Sequence, residues 1–178
     1  LCKDDTEIQY MQKAVKIAEQ ALQNILPHIH TGMTERQIAA DLSIELLRCG
    51  SDPALPFQPI VASGANSANP HSVPGEKQVE VGDLLLFDWG AYYQGYCSDL
   101  TRTYAVGKLD TELRTIYKLV LDANQAGRAA ARPGITAGMV DHAARQVIEK
   151  GGYGKQFFHR VGHGLGMEPH EAPSMYAE

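Results

Sequence analysis

Tyr93-Gln94-Gly95-Tyr96 narrows most sharply what this chain can fold into. Glycine at the second of two central positions supplies the positive φ of a two-residue hairpin loop. With Gln94 and Gly95 as the loop, Tyr93 pairs with Tyr96, Asp88 lies opposite Thr101, and Gly90 lies opposite Asp99. Opposed residues in an antiparallel pair share a face, and so do residues two apart. Asp88 and Asp99 are therefore diagonal neighbours on one face, their Cβ atoms roughly 7 Å apart or somewhat less. Strands disfavour aspartate. Two carboxylates held together in a sheltered place resist joint ionisation unless a cation lies between them. The run Asp83-Leu84-Leu85-Leu86-Phe87 is apolar enough for a buried strand, which would give that shelter. Solvated aspartates on a sheet edge would carry the same letters, so the stretch alone leaves both readings open.

The rest of the chain limits the alternatives. Its 178 residues suffice for one domain with a sizeable core. The formal net charge of -5, with no cluster of Lys and Arg, argues against a nucleic-acid partner. No apolar run approaches the ~20 residues of a membrane span, so no membrane partner is expected. The N-terminal stretch Leu1-Cys2-Lys3-Asp4-Asp5-Thr6-Glu7 is charged and lacks the apolar centre of a signal peptide. Cys2, Cys49 and Cys97 are odd in number and widely spaced, forming neither a zinc-type pair nor a disulfide framework. A reducing, cytoplasmic setting fits them, with Cys97 as a small buried hydrophobe.

Ile8, Met11, Val15, Ala18 and Leu22 recur at helical steps, predicting a helix over residues 5–26 that Pro27 stops. Thr34 and Gln37 form a capping box that opens a second helix reaching Arg48, with Gly50 as its stop. Residues 57–63 and 83–107 carry strand signals, separated by the loop SGANSANPHSVPGEK. Asp110 can cap a third helix to about residue 131, and a fourth spans 137–150. "PHIHTGM" at residues 27–33 is echoed by "PGITAGM" at 133–139. The echo hints at a duplicated helix-helix-strand-strand unit and an α+β fold with helices outside a curved antiparallel sheet.

Seven histidines are unevenly placed. His159, His163 and His170 fall within the glycine-rich segment FFHRVGHGLGMEPHE, and Gly162 and Gly164 flank His163. His71 sits alone in the Asn69-Pro70-His71-Ser72 loop, where functional residues concentrate. His28, His30 and His142 read as surface residues. Imidazole and carboxylate donors without sulfur suit a divalent transition metal such as Mn, Co, Zn or Fe.

On these segments the chain resembles the Xaa-Pro peptidases of the M24 metallopeptidases, aminopeptidase P and prolidase. "DWGAYYQGYCSDLTRT" is similar to their metal-binding hairpin, "GHGLGMEPHE" to their histidine segment, and "PFQPIVASGANSANPHSVPG" to the loop that delivers a substrate histidine. The resemblance implies a pita-bread fold with pseudo-twofold halves. It implies a metal-dependent exopeptidase that cleaves the bond before proline through a metal-activated water. Asp88, Asp99 and His163 would be metal ligands, with Asp99 bridging two divalent ions, Mn first, with Co or Zn as alternatives. His71 and His170 would contact substrate, and His159 would handle protons or substrate. The implied partner is a peptide with proline at its second position, and the full-length protein would be a homodimer. A methionine-aminopeptidase-like exopeptidase and a non-catalytic pita-bread peptide-binding module are the competing readings. The family's last two ligands are glutamates further along than Glu168, Glu171 or Glu178, and residues 1–178 are expected not to include its N-terminal domain. Residues 1–178 are therefore expected to be an incomplete catalytic domain, inactive by itself, with the missing glutamates beyond Glu178.

Overall fold

Asp4 opens the first helix. Its carboxylate accepts the backbone N–H groups of Thr6 and Glu7, both at 2.9 Å, while Glu7 reaches back to the Asp4 N–H at 2.7 Å. The computed structural model describes residues 2–176, and Leu1, Ala177 and Glu178 lie outside the described residues. Two compact units make up the chain. The first comprises Leu1–Leu109 with Leu165–Pro169, and the second Asp110–Gly164 with His170–Glu178.

In the first unit, α1 (Asp5–Ile25) and α2 (Glu35–Arg48) pack together. The Thr34–Gln37 capping box forms at the start of α2, with reciprocal bonds of 3.1 and 2.9 Å. The buried stripe of α1 is Ala14, Ile17, Ala18, Ala21, Leu22 and Ile25, whereas Ile8 is exposed. Of the periodic positions Ile8, Met11, Val15, Ala18 and Leu22, the last two are buried, Met11 and Val15 are half-buried, and only Ile8 is exposed. Ala14 and Ala21 join the buried stripe because their small side chains let the helix backbone come close to the sheet.

The sheet has three antiparallel strands in the order β1 (Ile60–Ser63), β2 (Leu84–Trp89) and β5 (Leu100–Ala105). β1 is shorter than the expected 57–63 because Pro59 has no N–H for the ladder and ends the strand there. β2 buries Leu85, Phe87 and Trp89 on alternate positions against the helices. The Trp89 indole N–H donates to the Ala18 carbonyl at 2.8 Å, which satisfies its one donor inside the core. Beyond β2 the hairpin continues through β3 (Tyr92–Tyr93) and β4 (Tyr96–Cys97). Among the described residues no helix is long and apolar enough to cross a membrane.

The hairpin register is the one counted from the turn. Leu84 pairs with Ala105, Asp88 with Thr101, Trp89 with Leu100, and Tyr93 with Tyr96, with no bulge between. Gln94 and Gly95 both have positive φ, 52° and 78°, as a type I′ loop requires. Gly90 is needed for a different reason. A Cβ there would lie 2.0 Å from the Ser98 carbonyl oxygen and 3.0 Å from Pro56.

In the second unit, α3 (Thr111–Ala130) and α4 (Ala137–Lys150) pack through Ala123, Ala144 and Ile148, followed by a two-stranded sheet of β6 (Gly162–Gly164) and β7 (Glu171–Met175). Asp110 caps α3 by accepting the Leu113 N–H at 2.7 Å. Both units thus run helix, helix, strands. The literal echo, however, is out of structural step. Thr34 caps α2 just after Met33, whereas Thr136 caps α4 three residues before Met139. The positions that correspond are core positions. Ile38, Leu42 and Leu46 stand at the same steps from Thr34 as Val140, Ala144 and Ile148 do from Thr136.

Gly90→Ala should cost about 3 kcal/mol or more, since the obstacle is backbone and cannot rotate away. Denaturant unfolding of wild type and variant checks this, and an unchanged midpoint would show that the hairpin arms can separate freely.

Candidate metal and substrate site

Alternation along the hairpin separates two faces. Leu85, Phe87 and Trp89 point at the helices, so Leu84, Leu86 and Asp88 take the other side. Thr101, the register partner of Asp88, donates its hydroxyl to Asp88 Oδ1 at 3.2 Å. Asp99 lies between Ser98, fully buried, and Leu100, 8% exposed. Ser98 is fastened inward, since its hydroxyl donates to the Ala14 carbonyl at 3.1 Å and accepts the Ala91 N–H at 3.0 Å. Alternation sends Asp99 to the face of Asp88. Both aspartates are half-buried, the sheltered pair that the turn count anticipates. Oxygen donors in such a pair fit a hard or borderline divalent cation. Among the described residues no group of three or more His, Cys, Asp or Glu side chains is gathered to hold a metal ion.

His71 is in the same unit, on the exposed loop after β1, where its backbone N–H donates to Asn69 Oδ1 at 3.0 Å. Segment Leu165–Pro169 also belongs here. The Gly166 carbonyl accepts the Cys97 N–H at 2.9 Å and its thiol at 3.1 Å, and the Met167 carbonyl accepts the Tyr92 hydroxyl at 3.1 Å. Burial, chiefly, pushes the Tyr92 phenol upward, so it stays a donor at neutral pH. Cys97 is fully buried, as expected of a small hydrophobe. His28, His30 and His142 are exposed.

The second unit holds His159, His163 and His170. The structure brings His163 and His170 together, ring centroids 4.2 Å apart and tilted 43°. His163 Nδ1 lies 2.9 Å from the Gly164 carbonyl. A carbonyl oxygen only accepts, so Nδ1 carries the proton and Nε2 offers its lone pair, the arrangement a metal-binding imidazole needs. His159 has the same tautomer by the same reasoning, with Nδ1 2.8 Å from the Arg160 carbonyl.

A buried ion pair fixes the strand entry to His163. Asp141 is fully buried on α4 and takes two bonds from Arg145, Nε at 2.7 Å and Nη2 at 3.0 Å. Asp141 also accepts the Val161 N–H at 3.1 Å, while Arg145 donates to the carbonyls of Phe157 and His159 at 2.6 and 3.0 Å and lies over the Phe157 ring. Asp141's hydrogen bond, above all, raises the Arg145 pKa. Sequence reasoning passed over both residues. Their signal was an Asp and an Arg four apart on a helix, which usually marks a solvent-exposed pair.

Comparison with known proteins places this geometry in a class. The Xaa-Pro dipeptidase from Bacillus anthracis superposes with a TM-score of 0.96 at 42% identity over 99% of this chain and 50% of that one. The X-Pro aminopeptidase from Thermotoga maritima superposes at 0.94, with 38% identity over 98% of this chain and 49% of that one. The fold is accordingly the pita-bread α+β fold. Residues 9–178 match the model of metallopeptidase family M24, and the chain belongs to that family. It is also 42% identical over 181 residues to the Xaa-Pro dipeptidase of Pyrococcus horikoshii, covering all of this chain and 51% of that protein. The chain spans about half the length of the curated relatives it matches.

Arg145→Ala should destabilise the protein by about 3 kcal/mol, the low end for breaking a buried pair, because Arg145 keeps 18% of its side chain exposed. Arg145→Lys should recover only part, since an ammonium cannot fork to Asp141 and stack on Phe157 together. Chemical unfolding of the two variants measures both effects, and full recovery by lysine would show that charge alone matters.

Proposed function

We propose that the full protein is a metal-dependent exopeptidase hydrolysing the peptide bond before proline, an Xaa-Pro dipeptidase or aminopeptidase. The unbroken hairpin register carries the reading, because it presents Asp88 and Asp99 side by side on the sheet face away from the helices. The names of the similar dipeptidases and aminopeptidase support the substrate class. Asp88, Asp99 and His163 would hold two divalent ions, with Asp99 shared between them, Mn first and Co or Zn as alternatives. Such ions supply a Lewis acid for the scissile carbonyl and acidify the attacking water.

The remaining work falls to the chain's own side chains. His163 is kept in the ligand tautomer by its bond to Gly164. His71 and His170 contact substrate, donating hydrogen bonds toward charge that develops on the scissile carbonyl oxygen. His159 is the proton-handling or substrate-contacting group. The nitrogen of a bond before proline carries no hydrogen, so selection rests on shape and on contacts to the substrate's other polar groups. Three cysteines without disulfides suit a reducing cytoplasm, and a homodimer is the expected assembly.

In the full-length protein, Asp99→Asn should abolish Xaa-Pro hydrolysis and lower metal content, since an amide bridges two cations poorly. His71→Ala should lower kcat by about 10²-fold or more while metal remains bound. Elemental analysis alongside steady-state kinetics on Xaa-Pro and Met-initiated peptides reads both. Loss of metal from His71→Ala would overturn the division of roles. Preference for Met-initiated peptides would assign the other exopeptidase class, and a metal-free, inactive wild type would assign a binding module.

A further inference from the structure

The loop that carries His71 has no hydrophobic anchor. Between Ala62 and Val79 the core contains no apolar side chain, and Val73 is 83% exposed. A loop of that length without apolar burial needs another source of order. One carboxylate supplies it. Glu35, the first residue of α2, is fully buried. Its Oε1 accepts the Ser63 N–H at 2.7 Å, the Ser63 hydroxyl at 3.1 Å and the Asn66 amide at 3.0 Å. Its Oε2 accepts Asn66 again at 3.1 Å and the Gly75 N–H at 3.2 Å. Ser63 opens the loop, Asn66 sits in the 3₁₀ turn Gly64–Ala68, and Gly75 closes it. From that turn the order passes on through backbone bonds. Asn69 N–H donates to the Asn66 carbonyl at 3.1 Å, Ser72 N–H to the Asn69 carbonyl at 3.1 Å, and His71 N–H to the Asn69 side chain.

We propose that Glu35 is a positioning residue for His71, pinning both ends and the middle of its loop so that the imidazole stands where the substrate is bound. The proposal rests on the substrate-contacting role assigned to His71 above. The charge is what the site requires. Every group facing Glu35 is a donor, so the amide of a glutamine would turn its own N–H₂ toward N–H or O–H groups. The carboxylate also lies at the N-terminus of α2, where backbone N–H groups and the helix dipole favour an anion.

The test uses the full-length enzyme with Glu35→Gln, Glu35→Asp, His71→Ala and the Glu35→Gln/His71→Ala double variant. Glu35→Gln should lower kcat on an Xaa-Pro dipeptide by about 10²-fold, the cost of a displacement near 1 Å, with KM changed by less than about threefold. Glu35→Asp, which keeps the charge, should recover part of the loss. In the His71→Ala background Glu35→Gln should cost less than about twofold, because it acts through a side chain no longer there. Amide exchange at Ser63 and Gly75 should rise in Glu35→Gln while that of Phe87 and Trp89 stays protected. If Glu35→Gln does not fold, Asn66→Ala replaces it, with a smaller kcat loss that again vanishes without His71. Losses that multiply in the double variant, or loop exchange unchanged by Glu35→Gln, overturn the proposal. A wild type inactive on Xaa-Pro peptides defeats the functional reading instead. Loop exchange and the NMR signal of the His71 ring then decide whether Glu35 sets the position of His71.

Discussion

The two-residue turn at Gln94 and Gly95 governs the parity of everything in the hairpin. Side chains alternate with a period of two, so a loop of one more or one fewer residue would invert one arm relative to the other. Asp88 would then face Thr101's neighbours rather than Thr101, and the aspartates would lie on opposite sides of the sheet. The same parity turns Leu85, Phe87 and Trp89 toward α1 and α2. Core and acidic pair are therefore one decision. Burial of the apolar face, worth about 1.5–3 kcal/mol for each large side chain, also holds the carboxylates in place opposite. The close approach at Gly90 and Ser98 keeps the arms in step at the point where the second aspartate begins.

Two fully buried carboxylates do for the histidine-bearing segments what apolar burial does for the hairpin. Glu35 gathers the loop of His71, and Asp141 with Arg145 grips the approach to His163. Burying a carboxylate is costly unless its oxygens are fully engaged, and both are. The exchange gives short glycine-rich segments a defined course without filling them with bulky side chains. The device recurs on different helix positions, Glu35 at the first residue of α2 and Asp141 well inside α4. The two units therefore share an element order and a set of core steps rather than a residue-by-residue plan.

Much of this was legible locally. The Thr34 and Asp110 caps, the hairpin turn and the span of α4 follow from signals that act over three to five residues, and their energies are largely independent of what packs around them. The resemblance to the Xaa-Pro peptidases rested on three such segments. Other features were invisible for physical reasons. Ala14 and Ala21 joined Ala18 and Leu22 in the buried stripe of α1, while Ile8 stayed exposed, because close approach to the sheet outweighed side-chain hydrophobicity. β1 lost residues 57–59 to the proline that removes a ladder donor. The echoed letters around Met33 and Met139 misled because a shared Gly-Met does not fix where a helix cap falls.

By itself, then, the sequence determined the hairpin, its parity and the pairing of Asp88 with Asp99 on one face, since each depends on neighbours along the chain and on a period of two. It also determined where most helices start and stop. Only the tertiary structure decided that Glu35 and Asp141 are interior hubs rather than surface acids. Besides side chains, their partners include backbone N–H groups far along the chain, Ser63 and Gly75 for Glu35 and Val161 for Asp141, and a backbone N–H has no letter of its own. A carboxylate's burial is set by which donors the fold brings to it, and that is known only once the loops have closed.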